Sequence, residues 1–117
     1  MQITVSWYQV SDLEAAKGFY GEVLGLKKTF EMAGWAEFSH TEGGPSIGLA
    51  QASGENRETG ATVVLRVPDL DRAIREIRSK GVRFEGEIEE YPGVVRIGTF
   101  RDPSGNRLQL AQVLMAE

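Results

Sequence analysis

Apolar and polar positions alternate along this chain with two different periods, and the two periods mark out its elements. Ile3–Val10 is rich in β-branched and aromatic residues and reads as a strand. Leu13, Ala16, Tyr20 and Val23/Leu24 then recur at three and four, the stripe of an amphipathic helix. Ser11 with Glu14, or Asp12 alone, supplies the N-terminal cap, and Gly25 stops the helix. Strands are predicted near 26–32, 35–40 and 46–51, with turns at Ala33-Gly34 and Glu42-Gly43-Gly44. Residues 52–59 are polar and read as a linker. The order then repeats: a strand at 62–67, and a helix capped by Asp69 with Leu70, Ala73, Ile74 and Ile77 on its apolar stripe. Strands follow near 82–87, 94–100 and 107–113. Asp71→Arg75 and Glu76→Lys80 have the orientation of favourable i,i+4 pairs. Asp102-Pro103-Ser104-Gly105-Asn106 is a tight turn.

The two halves are copies of one unit. Val10-Ser11-Asp12-Leu13-Glu14-Ala15-Ala16 is matched by Val67-Pro68-Asp69-Leu70-Asp71-Arg72-Ala73, a shared V-x-D-L-x-x-A. Gly25-Leu26-Lys27 answers Gly81-Val82-Arg83, and residues 44–51 answer residues 105–112. Each unit has the layout βαβββ.

Composition narrows the chemistry. The 117 residues fit one domain, 1–117, with module 1 at about 1–53 and module 2 at about 60–117. There are no cysteines and one histidine, His40, which removes thiolate metal sites, Cys nucleophiles and His-rich zinc sites. The charge sum of 13 basic and 17 acidic residues is −4, which argues against nucleic-acid binding and favours cationic ligands. The sequence shows no signal peptide and no stretch of apolar residues long enough for a membrane span. A cytoplasmic location without membrane attachment is the expectation. Alternation puts His40 with Ala36 and Phe38 at a strand end rather than in a catalytic role.

The V-x-D-L-x-x-A block, the Phe19-Tyr20…Leu24-Gly25-Leu26 run and the Asp102-Pro103-x-Gly105-Asn106-x-Leu108-x-Leu110 tail resemble the vicinal oxygen chelate superfamily. This is the group of glyoxalases, bleomycin-resistance proteins and extradiol dioxygenases. The resemblance implies an α+β fold of two tandem βαβββ modules forming a curved, incompletely closed mixed sheet around a cleft. It also implies a homodimer. Metal-dependent members carry a His or Gln seven residues before each helix-opening Asp, and a Glu in the last strand. Some take a further ligand from the matching strand of the first module. The matching positions here are Val5, Thr62, Gln109 and Gly48. Val and Gly offer no ligand, and Thr and Gln are poor ones, so no metal and no other cofactor is expected.

Strand parity proposes what faces the cleft instead. Helix-side residues are Ser6, Tyr8 and Val10 in the first strand, and Val63, Leu65 and Val67 in the fifth. The opposite face takes Trp7, Gln9, Trp35, Glu37, Thr62, Arg66, Thr99 and Gln109, the candidate binding residues. Trp7 and Trp35 suit planar or cationic ligands, and Glu37 a cationic group; the tryptophans equally suit an interface. Arg66 suits a carboxylate or Glu37. No catalytic residue is assigned, and whether the chain is an enzyme stays open. The expected function is metal-free binding of a small organic molecule, of the bleomycin-resistance type. The alternative is a divalent-metal-dependent lyase, isomerase or dioxygenase of the same superfamily. The acidic run 85–91 is expected to be a solvated loop or edge strand.

Overall fold

The computed structural model describes residues 1–53 and 59–115, so most of the expected linker, residues 54–58, lies outside the described residues. The chain divides into two compact units, Thr4–Ala61 and Thr62–Glu117, with Met1–Ile3 counted with the second. Each is a βαβββ module, and the fold is α+β. Among the described residues no helix is long and apolar enough to cross a membrane.

Module 1 consists of β1 (Gln2–Val10), α1 (Leu13–Gly18), β2 (Lys27–Met32), β3 (Trp35–Ser39) and β4 (Ser46–Gln51). Its strands lie in the order β2-β3-β4-β1. β1 and β4 are parallel, as the helical crossover requires, and the rest are antiparallel. Asp12 is the helix cap: its backbone is extended and its carboxylate accepts from the Ala15 N–H at 3.1 Å. Val10, Leu13, Ala36, Phe38 and Leu49 pack beneath the helix. Tyr8 has the parity for this side but remains exposed, beyond the cover of so short a helix.

The apolar stripe through Val23 and Leu24 does not continue as expected. After Gly18 the chain widens into a π-helical turn, Phe19–Val23, in which Leu24 N–H reaches the Phe19 carbonyl at 3.0 Å. The wider turn shifts the phase of the stripe. Tyr20 stays against Phe38, while Val23 and Leu24 turn outward. Gly25, at φ +73°, reverses the chain into β2.

Module 2 consists of β5 (Thr62–Arg66), α2 (Leu70–Arg78), β6 (Phe84–Tyr91), β7 (Val95–Arg101) and β8 (Arg107–Val113). Its order is β5-β8-β7-β6, with β5 and β8 parallel. Val67, Leu70, Ile74, Phe100 and Leu110 form its core. The acidic run is the edge strand β6, longer than expected, with an irregular register between Glu85 and Glu89. Its charges leave an unpaired edge unattractive to other strands. Asp71 pairs with Arg96 at 3.2 Å rather than Arg75, and Glu76 with Arg72 at 3.3 Å rather than Lys80.

The modules repeat in detail. Asp69 caps α2 as Asp12 caps α1, accepting from Arg72 N–H at 3.1 Å. Gln51 Oε1 accepts from Leu13 N–H, and Gln112 Oε1 from Leu70 N–H, both at 2.9 Å. In each module the last strand thus satisfies an orphan donor at the helix start.

Candidate functional site

In each module, strand alternation and register put Trp7, Trp35 and Glu37, or Thr99 and Gln109, on the sheet face turned away from the helix. In module 1 the register places Trp7 beside Gly48 across β1 and β4, and Glu37 beside Gly48 across β3 and β4. Trp7 and Trp35 meet edge to face, with ring centroids 5.5 Å apart and planes at 70°. The Trp35 Nε1–H donates to Glu37 Oε2 at 2.8 Å, and the Ser46 hydroxyl donates to Glu37 Oε1 at 3.0 Å. Gln9 lies further along β1, opposite Ala50.

Gly48 is the seat of this cluster. A Cβ at this position would lie 2.6 Å from Trp35 Cζ2 and Cη2 and 2.8 Å from Trp7 Cβ. Sequence reasoning identified Gly48 as a ligand position without a ligand. The structure gives the physical content: the missing side chain leaves the volume that the Trp35 ring fills. Ser46 was missed altogether, although it sits two residues before Gly48 and so shares its face.

In module 2 the equivalent positions carry other chemistry. Gln109 pairs with Val64 on one side and with Thr99 on the other, and Thr62 lies two residues before Val64 on the same strand face. Gln109 Nε2 donates to the Thr99 hydroxyl at 3.1 Å. Thr62 is fully buried, and its hydroxyl accepts from Arg107 Nε at 2.7 Å. Arg107 was also missed; it stands two residues before Gln109, on the same face. Arg66 is placed elsewhere, at a cavity of about 480 Å³ with Met1, Gln2, Val67 and Pro68. His40 is exposed just beyond β3, on neither cluster.

This donor set does not fit a divalent metal. Val5 is a buried apolar side chain, Gly48 lies under an indole, and Gln109 presents its amide nitrogen to Thr99. Thr62 faces a guanidinium, whose positive charge opposes a cation there. Among the described residues no three His, Cys, Asp or Glu side chains converge. Metal sites of this size use carboxylate, imidazole or thiolate ligands.

Residues 2–110 match the family model of the Glyoxalase/Bleomycin resistance protein/Dioxygenase superfamily. The chain belongs to that superfamily. Among solved structures, methylmalonyl-CoA epimerase from Mycobacterium tuberculosis is similar at 24% identity and a TM-score of 0.78, covering 99% of this chain and 89% of that one. A methylmalonyl-CoA epimerase from Streptomyces coelicolor, in complex with 2-nitronate-propionyl-CoA, gives 20%, 0.75, and coverage of 100% and 97%. A superfamily member from Vibrio splendidus gives 14%, 0.68, and coverage of 95% and 99%. At these identities the likeness is one of fold. A search of curated proteins gives no significant match. The superfamily supports both metal enzymes and binders, so its fold leaves the choice to the side chains.

Proposed function

We propose that this member of the superfamily binds a small organic molecule without the divalent metal of the superfamily's metal-dependent members. One observation carries the reading: the Trp35 ring occupies the space over Gly48, where a ligating side chain would start. A sheet face with two indoles, one carboxylate and a few neutral hydrogen-bonding groups has the composition of a small-molecule site. The methylmalonyl-CoA epimerases are similar in fold alone, and the indole and carboxylate cluster of module 1 is the basis for the ligand instead. A homodimer is part of the proposal, on the family resemblance.

Metal analysis of protein purified without chelator tests the reading, together with calorimetric titration of Mn²⁺, Co²⁺, Ni²⁺ and Zn²⁺. The expected result is substoichiometric metal and no saturable heat. One equivalent of metal that survives gel filtration would overturn it.

A further inference from the structure

We infer that the module 1 cluster selects an organic cation, held by the Glu37 carboxylate and the faces of Trp7 and Trp35. This rests on the metal-independent binding site proposed above and names its ligand class. The two hydrogen bonds that Glu37 accepts come from an indole N–H and a hydroxyl. Both donors are neutral, so they fix the carboxylate in place without cancelling its charge. The same bond from Trp35 fixes the ring, which Gly48 and Trp7 hold from its other sides. A half-buried carboxylate beside two rigid indoles combines the two elements that recognise organic cations: a fixed anion, and ring quadrupoles with negative faces. Partial desolvation strengthens both.

The fold does not require this set. The equivalent positions of module 2 are Val64 for Trp7, Ile97 for Trp35, Thr99 for Glu37, Arg107 for Ser46 and Gln109 for Gly48. The same backbone positions there are filled with no aromatic ring and no anion. The acidic and aromatic character is therefore particular to module 1, and the net charge of −4 favours a cation on approach.

Three probes of nearly equal shape test the inference: 1-methylquinolinium, its neutral isostere 1-methylnaphthalene, and the anion 1-naphthoate. Calorimetry gives the affinities. Fluorescence reports on the site itself, because the chain's two tryptophans are Trp7 and Trp35. The cation is expected to bind at least about tenfold more tightly than the neutral probe, with the anion weakest. Glu37→Gln can keep both hydrogen bonds, with its carbonyl oxygen toward Trp35 and its amide toward Ser46. It is expected to weaken the cation about tenfold and leave the neutral probe unchanged. Trp7→Phe is expected to weaken the cation by a smaller factor, since a phenyl face is the poorer partner. If cation and neutral probe bind equally, or Glu37→Gln leaves the cation's affinity intact, Glu37 only orients Trp35. The inference then falls while the binding site stands. If none of the three probes binds, the small-molecule reading falls with it.

Discussion

The two modules share a scaffold and differ in what they place on it. Beneath each helix the correspondence is close: Leu13 with Leu70, Phe38 with Phe100, Leu49 with Leu110, and a Gln from the last strand on each helix start. On the opposite face, indoles and a carboxylate in module 1 stand against hydroxyls, an amide and a guanidinium in module 2. The helix side is constrained by packing, where a volume change of one methylene is felt. The other face has no helix to satisfy, so packing leaves its residues free to diverge. Divergence within a repeat thus points to function, where agreement points to stability.

Four experiments can break or sharpen this comparison. The largest expected effect is in the shared core. Leu49→Ala and Leu110→Ala, both at fully buried positions, should each cost about 3–4 kcal/mol in urea unfolding. Clearly unequal costs would show that the helix sides are less alike than their packing implies. Next comes an exchange between modules. Gly48→Gln, which installs the module 2 residue, should cost about 2 kcal/mol because its Cβ collides with Trp35. Adding Trp35→Ile, the other half of the exchange, should return much of that loss; additive costs in the double mutant would refute the ring-over-glycine contact.

A smaller effect is expected at the helix starts. Gln51→Ala and Gln112→Ala each strip the acceptor from a partly buried amide, and each should lose about 1 kcal/mol. The smallest effect separates the modules by pH. In module 2, the side chain and N–H of Asn106 and the N–H of Ser104 hold the Asp102 carboxyl below its ordinary value of 3.8. Thr41 occupies the corresponding turn position in module 1. A carboxyl lowered in the folded state stabilises above its ordinary value, and this support is lost as pH falls through the lowered one. Carboxyl-detected NMR should show Asp102 titrating below 3.8, and Asp102→Asn should reduce stability at neutral pH but not in strong acid.

Much of the architecture was legible because the repeat made each half a check on the other. Asp12 and Asp69 are both caps, and Gln51 and Gln112 do the same work in their modules. Period-two alternation put Trp7, Trp35, Glu37, Thr62, Thr99 and Gln109 all on the face opposite the helices, and the pairing registers agree within each module. The π turn was not legible. A single widened turn leaves no mark in a stripe that reads equally well at three or four. Ser46 and Arg107 were within reach of the same parity argument, but a Ser or Arg near a turn gives no sign by type alone.

Local chemistry therefore determined a great deal: caps, turns, the βαβββ order and strand faces, while the family resemblance marked Val5, Gly48, Thr62 and Gln109 as ligand positions without a strong ligand. These depend on neighbours a few residues apart, or on residue type. Tertiary structure alone decided what stands in the place of ligands. Trp35 fills the space above Gly48, thirteen positions away, because the β3–β4 register brings them together. Arg107 meets Thr62 across forty-five positions because β5 and β8 run side by side. Such meetings follow from strand register, a property of the whole module, so the sequence could name the missing ligands but not the groups that replaced them.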